Sequence, residues 1–257
     1  MRVYEDCYEL MSEIRREVYE MGTIVRPKSM QNKNIEGDIN FETREILNYS
    51  YCLLTLNREE YLFNGTQTDI ETTKKWAMAE FYERVDPTRV NPGEAWQVRK
   101  EIWEEFLVKD KFDYTYGERL NFRPVGANVG NLEIVIGELL RNPDTRQGIL
   151  PIWDLEKDVA YIGGRRRVPC SMYYQLIIRE NRLHIIYNQR SADVVTHFGN
   201  DVFLAWHLKE YINQILRTKG MVLKQGYLYH NIASLHSYRK DWDILKNCIE
   251  DEQGRTR

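Results

Sequence analysis

The stretch Gln189-Arg190-Ser191-Ala192-Asp193-Val194-Val195-Thr196-His197-Phe198-Gly199-Asn200-Asp201 decides how this chain is read. Upstream, Val168-Pro169-Cys170 puts a cysteine nineteen residues before Gln189 (189 − 170) and thirty-one before Asp201 (201 − 170). Arg165, Arg166 and Arg167 precede that cysteine, and Arg190 follows it at the end of a predicted strand. Positive charge near a thiol favours the thiolate, so the setting predicts an activated nucleophile. A cysteine beside a strand also serves as a small core hydrophobe. Asp201 likewise has two readings. It is a favoured residue type for the N-cap of a helix from Val202 to Arg217, or it is a carboxylate that reads a ligand.

Composition narrows the class. The chain has 257 residues, 42% hydrophobic and 12% aromatic, enough for the core of one large domain covering 1–257. Net charge is −3 and the pI is near 6.0, so no global basic field points to nucleic acid. An anionic ligand then needs a local group of arginines. Cys7, Cys52, Cys170 and Cys248 are far apart, which argues against disulfides and against a structural zinc or other metal. Pro169-Cys170-Ser171-Met172-Tyr173 lacks the second cysteine of a zinc deaminase motif. The N-terminus is charged from Arg2, and no apolar run reaches the roughly 18 residues of a membrane span. The expectation is a soluble protein of a reducing cytoplasm, with no membrane partner.

Periodicity gives the elements. Tyr4, Cys7, Met11, Ile14, Val18 and Met21 recur at helical spacing over Val3–Met21, ahead of Gly22. Residues 23–43 are polar, contain Pro27 and predict a loop. Leu47–Phe63 is aromatic and apolar. Thr73–Val85 and Asn131–Arg141 predict helices, with Pro87 and Pro92 in a loop between them. Ser171–Ile178 and Arg182–Asn188 flank Arg179-Glu180-Asn181 and predict a hairpin. Phe203–Arg217 predicts a helix closed by Lys219-Gly220, and Met221–Tyr229 a strand. The class is α+β, a central mixed sheet packed by helices.

Together, Pro169-Cys170, the Gln-Arg-Ser-x-Asp string from Gln189 to Asp193 and the spacing to Asp201 resemble the thymidylate synthase family. The surroundings of Asp193 and Asp201 resemble its deoxycytidylate 5-hydroxymethylase branch. The resemblance spans roughly Met1–Lys246 and is strongest from Asn142 to Tyr238. It implies a thymidylate synthase-like fold and a homodimer joined through a sheet face. It implies that Cys170 adds to C6 of a pyrimidine nucleoside monophosphate, so that C5 attacks the methylene carried by 5,10-methylenetetrahydrofolate. Arg190, Ser191, Gln189 and Asn200 are implied as nucleotide ligands. Asn142-Pro143-Asp144-Thr145-Arg146 resembles the segment that crosses the dimer, which makes Arg146 a donated phosphate ligand. That segment usually ends in two arginines, and Gln147 stands at the second. One of Arg165, Arg166 and Arg167 is a replacement, or the triplet is a solvated loop. Arg26, or Lys28, corresponds to an N-terminal phosphate clamp. Ser234-Leu235-His236-Ser237-Tyr238 resembles the His-x-Tyr motif that bonds the sugar 3′-hydroxyl.

Counting back about thirty-six residues from Tyr116-Gly117 puts the family's water-ordering glutamate at Glu80 (116 − 36), with Glu83 as the alternative. Tyr116, or a water beside it, is implied in removing the C5 proton. On the folate side the resemblance implies Trp103 and Asp193, and His197 stands where a glycine is usual. The family position at Asp201 is asparagine in the synthases and aspartate in the cytidylate branch. Uracil offers an O4 acceptor and an N3–H donor, which an amide satisfies. Cytosine offers an N4 donor and an N3 acceptor. A carboxylate meets that pattern when it, or N3, carries a proton. Asn200 is one residue away, and a one-residue slip would return a uracil reader.

The expected reaction converts dCMP, 5,10-methylenetetrahydrofolate and water to 5-hydroxymethyl-dCMP and tetrahydrofolate. Glu250–Arg257 is highly polar, and an extended apolar C-terminus like the one with which many synthases close over the folate is not seen, which favours a water quench. The resembled branch is typically phage-encoded and serves DNA modification. Alternatives are a C5-methyltransferase on dCMP or dUMP, a CMP hydroxymethylase of a nucleoside antibiotic pathway, and a non-catalytic nucleotide- or RNA-binding homologue.

Overall fold

The computed structural model describes residues 1–66, 68–163 and 166–255. Strand β1 (Arg2–Tyr4) leads into helix α1 (Cys7–Met21), strand β2 (Thr23–Val25), a small hairpin of β3 (Ser29–Met30) and β4 (Lys33–Asn34), and the long strand β5 (Thr43–Leu53). Helices α2 (Ile70–Val85), α3 (Lys100–Trp103), α4 (Tyr116–Leu120) and α5 (Asn131–Arg141) follow. Then come β6 (Ile149–Pro151), β7 (Ser171–Arg179), β8 (Arg182–Gln189), β9 (Ala192–Asp193), α6 (Phe198–Thr218), β10 (Lys224–Tyr238) and α7 (Trp242–Arg255).

The main sheet runs β1-β5-β10-β8-β7-β6, with β2 also on β5 and β9 also on β10. It is mixed: β5 is antiparallel to β10, while β10 is parallel to β8. Helices pack on it, as the α+β reading expects. Alternation along β7 and β8 buries Tyr174, Leu176, Leu183, Ile185, Tyr187 and Gln189 on one face. The opposite face carries Ile177, His184 and Ile186, only half-buried. Between the two strands Glu180 and Asn181 take φ values of 52° and 55°, the left-handed pair of a tight two-residue hairpin turn.

Four sequence expectations shift. Helix α1 starts at Cys7, not Val3, because Asp6 caps it by accepting from the Tyr8 and Glu9 N–H groups. Residues 23–43 are not simply a loop: β2 pairs with β5, and β3 with β4. Strand β10 continues nine residues past Tyr229 to Tyr238 because β5, β8 and β9 all pair with it. Helix α6 begins at Phe198 rather than Phe203. Its first turn lies against Leu62 so closely that a Cβ on Gly199 would sit 1.9 Å from the Leu62 carbonyl oxygen. Only glycine fits there. The N-cap is therefore His197, Asp201 lies inside the first turn, and the capping reading of Asp201 is wrong. Among the described residues no helix is long and apolar enough to cross a membrane.

Candidate active site

Cys170 stands just before β7, where the pairing of β7 with β8 shifts register between Ser171 and Tyr173. Arg190, leaving β8, wraps around this segment. Its backbone N–H donates to the Cys170 carbonyl (2.9 Å), its Nε to the Pro169 carbonyl (2.9 Å) and its Nη2 to the Val168 carbonyl (3.2 Å). Nη2 is also 3.8 Å from Cys170 Sγ. From the β3–β4 turn, Gln31 reaches over the nucleophile: its Oε1 accepts from the Val168 N–H (3.3 Å) and its Nε2 lies 3.9 Å from Sγ. The expected depression of the thiol pKa is not met. Burial pushes the Cys170 thiol up, Asp201 and Asp193 add to that, and Arg190 and Arg167 only partly offset it.

Behind the nucleophile, Asp201 Oδ2 accepts from Gln189 Nε2 at 2.8 Å. Gln189 Oε1 in turn faces His230 Nε2 at 2.8 Å, and His230 Nδ1 faces the Tyr51 hydroxyl at 2.9 Å. The His230 ring is stacked on Tyr187 (4.4 Å, 13°) and lies parallel to Phe198 (5.9 Å, 3°). Burial pushes that imidazole down to about 3, so it is neutral. Burial raises the Asp201 carboxyl to about 6 against the pull of Arg84 and Gln189. Asn200 does not take this place. It is 2% exposed and its amide donates back to the Thr196 carbonyl.

Glu80 lies one helical turn before Arg84 on α2, and Arg84 Nε donates to it at 2.8 Å. The Arg84 guanidinium sits 3.8 Å from the centroid of the Tyr116 ring. The Ser171 hydroxyl donates to the Tyr116 oxygen at 3.1 Å, and burial holds the Tyr116 phenol well above its usual range. A phenol so held keeps its proton and is no base in this state. Glu83 is tied to structure instead: its Oε1 accepts from the Glu94 and Ala95 N–H groups at 2.5 and 2.8 Å. Glu80, Tyr116, Trp76, Trp103, Tyr114 and Arg167 line one cavity of about 50 Å³.

The far wall of that cavity is aromatic. Trp76 and Trp103 stack (5.6 Å, 17°), and the His197 ring lies 5.7 Å from Trp103. The indole Nε1 atoms of both tryptophans are buried without hydrogen-bond partners among the described residues. So are all three guanidinium nitrogens of Arg99, a 0% exposed residue lying 5.3 Å from the Trp76 ring. His197 is driven down to about 4 by burial and then by Arg99, with Asp193 opposing. Of the arginines before Cys170, the two described ones point to different partners. Arg167 lies over Phe106 (4.3 Å) and Trp103 (5.1 Å), and Arg166 is 3.8 Å from Asp113. Arg165 lies outside the described residues.

On the sheet side, Asp193 pairs in register with His236, and its Oδ1 accepts from the Val195 N–H (3.1 Å). The His236 and Tyr238 rings meet edge to face at 5.1 Å, and His236 Nδ1 is buried without a hydrogen-bond partner among the described residues. Burial raises the Tyr238 phenol, with Asp193 and Cys170 adding and Arg190 opposing, so these groups share one environment. Ser191 is half-buried beside them. Arg26 is exposed and donates to Glu42 (2.7 Å), which Arg239 also holds (2.8 Å). Lys28 pairs with Glu36 on the surface, and Arg146 is exposed. Sequence reasoning missed Gln31, Arg84, Arg99 and His230. A glutamate one helical turn before an arginine was the only visible trace of Arg84.

A model of the thymidylate synthase family matches residues 70–256. A putative thymidylate synthase of Methanosarcina barkeri is 30% identical over 167 residues, 63% of this chain and 72% of that protein. The deoxycytidylate 5-hydroxymethyltransferase of Enterobacteria phage T4 is 28% identical over 163 residues, 60% of this chain and 61% of that protein. In fold, the chain resembles the thermostable thymidylate synthase A of Bacillus subtilis with a TM-score of 0.71, covering 95% of this chain and 84% of that one at 17% identity.

Proposed function

The chain belongs to the thymidylate synthase family, a family of one-carbon transferases acting on nucleotides, and we propose that it is a folate-dependent C5-hydroxymethyltransferase of deoxycytidine 5′-monophosphate. The observation that carries this is Asp201, a half-buried carboxylate rather than an amide, whose charge acts on the Cys170 thiol and whose own pKa is raised to about 6. Pairing with cytosine needs one proton between the carboxylate and N3. At neutral pH that proton lies about one pH unit away, roughly 1.4 kcal/mol. An ionised Asp201 would meet uracil O4 with no proton to share, a mismatch able to discriminate by orders of magnitude. The phage T4 relative, named for deoxycytidylate hydroxymethyl transfer, supports the same reading.

In this reading Cys170 adds to C6, and Arg190 and Arg167 counter the burial that disfavours its thiolate. Glu80, held by Arg84, orders the water beside position 4. Tyr116 stays protonated and donates, while water takes the C5 proton and later supplies the hydroxyl. Arg190 and Ser191 hold the phosphate with Arg26 and with Arg146 of the partner subunit, in a homodimer joined through the face that carries Ile177, His184 and Ile186. His236 and Tyr238 hold the sugar. Bound 5,10-methylenetetrahydrofolate supplies the one-carbon unit. The stacked Trp76 and Trp103, whose indole donors have no partner among the described residues, fit a flat heterocycle that carries acceptors, and Asp193 and His197 flank it.

The test is a mass-spectrometric product assay with 5,10-methylenetetrahydrofolate and dCMP, CMP or dUMP in parallel. Addition of CH2O to dCMP and none to dUMP is the expected result. Addition of CH2 would mean reduction by the folate and a methylase. Turnover of dUMP alone would overturn the role of Asp201, and turnover of CMP alone the deoxyribose assignment. No turnover of any would leave a nucleotide-binding homologue.

A further inference from the structure

We propose that His230 is a positioning residue that fixes the amide of Gln189 and thereby determines which pyrimidine Asp201 accepts, an inference resting on the dCMP reading above. Three hydrogen bonds run in series from Tyr51 to His230 (2.9 Å), from His230 to Gln189 (2.8 Å) and from Gln189 to Asp201 (2.8 Å). A fully buried histidine is commonly a packing residue. This one uses both ring nitrogens, and the series ends on the base reader.

Such a series can run in two directions. In the first, the Tyr51 hydroxyl donates to Nδ1, Nε2–H donates to Gln189 Oε1, and the amide NH2 donates to Asp201. In the second every donor reverses: protonated Asp201 donates to Oε1, the NH2 to Nε2, and Nδ1–H to the Tyr51 oxygen. His230 is the one hydrogen-bond partner of the Tyr51 hydroxyl among the described residues. The second direction therefore strands the Tyr51 proton in a fully buried site, and an unpaired buried donor is costly. Burial keeps His230 neutral, with a single N–H in either direction; the need of the Tyr51 proton for an acceptor at Nδ1 puts that N–H on Nε2.

The direction matters for the base. With the NH2 of Gln189 on Oδ2, a proton on Asp201 sits on Oδ1, where it donates to cytosine N3. Oδ2 has a second lone pair and accepts from the cytosine amino group. With the amide flipped, the proton is drawn to Oδ2 and donated to Gln189. Oδ1 is then a bare acceptor, which suits the N3–H of uracil. His230 thus acts two residues away from the pyrimidine, through Gln189 and Asp201.

The experiment is calorimetric titration of the full chain with dCMP and with dUMP, for wild type, His230→Phe, His230→Gln and Tyr51→Phe. Phenylalanine keeps the stack on Tyr187 and removes both nitrogens. Glutamine returns an N–H near the position of Nε2. His230→Phe is expected to lower the dCMP-to-dUMP affinity ratio by about tenfold or more, with His230→Gln recovering most of it and Tyr51→Phe falling between. A merely structural role would weaken both nucleotides alike, and an unchanged ratio in a folded His230→Phe overturns the proposal. Should that variant not fold, an unchanged ratio in Tyr51→Phe overturns it equally. A wild-type protein that prefers dUMP, or binds neither, overturns the dCMP reading itself, and that failure is visible before any variant is made.

Discussion

On the wall built by α6, β8 and β10, Asp201, Gln189, His230 and Tyr51 form a series in which each group has a partner. On the wall built by α2 and the residues around α3, the indole nitrogens of Trp76 and Trp103 and all three nitrogens of Arg99 are buried with none among the described residues. Buried polar groups are normally paired. The difference teaches which groups the protein has itself satisfied and which it leaves for a ligand to satisfy, and His236 Nδ1 on β10 belongs with the second set. A satisfied series is preorganised and suits reading a base. Unpaired donors on an aromatic wall suit an acceptor-rich heterocycle or anion that arrives from outside.

The largest expected effect separates chemistry from both walls. Cys170→Ala should lower turnover of dCMP by about 10⁴-fold or more, the scale for losing a nucleophile, while calorimetry still shows dCMP binding. Turnover that survives would mean the cleft binds nucleotides without using its thiol. Next comes the satisfied wall. Asp201→Asn replaces the carboxylate by an amide and should shift the dCMP-to-dUMP specificity ratio by about 10³-fold toward dUMP, read from competitive turnover. A ratio that stays put would show that the finished wall is packing and not the reader.

The sequence made some of this legible, for reasons that lie in particular residues. The β7–β8 hairpin was visible because alternation has period two and Glu180-Asn181 tolerates positive φ. Helix α5 was visible to the residue because Leu132, Val135, Ile136 and Leu139 fall on one face. The spacing from Cys170 to Asp201 was visible because both lie on one short run of strand, strand and helix. What stayed hidden depends on distant contacts. Arg84 is a charged residue on a helix and would be solvated there, but Glu80 and the ring of Tyr116 cover it. Gln31 meets Cys170 across 139 positions of chain. His230 lies beyond the expected end of β10, whose length is set by three neighbouring strands. The thiol shift had the wrong expected sign because flanking arginines are written in the sequence and burial is not.

The unfinished wall makes the third prediction. Arg99 is a buried cation whose guanidinium has no hydrogen-bond partner among the described residues, and replacing buried charge by a well-packed apolar chain is often stabilising. Arg99→Met should raise the stability of the ligand-free protein by about 2 kcal/mol in urea unfolding, and weaken folate binding by about tenfold. A destabilised Arg99→Met protein would mean that the wall is already complete without a ligand.

The smallest effect sets the two walls against each other in one titration. Asp201 is raised to about 6 by burial, above an unfolded value of about 3.9. Its contribution to stability is full below that unfolded value and is lost as pH rises through about 6. His197 is lowered to about 4 from an unfolded value of about 6.5. Its contribution is full above the unfolded value and is lost as pH falls through about 4. The two slopes oppose over the same window, so in the wild type they largely cancel. Urea midpoints measured between about pH 4.5 and 6.5 should separate them. Relative to wild type, Asp201→Asn should lose stability as pH is lowered, because the His197 slope stands alone. His197→Asn should lose stability as pH is raised, by a change on the order of 1 kcal/mol once partial solvent exposure is discounted. Parallel pH profiles for both variants would show that the two walls do not differ in how burial treats their charges.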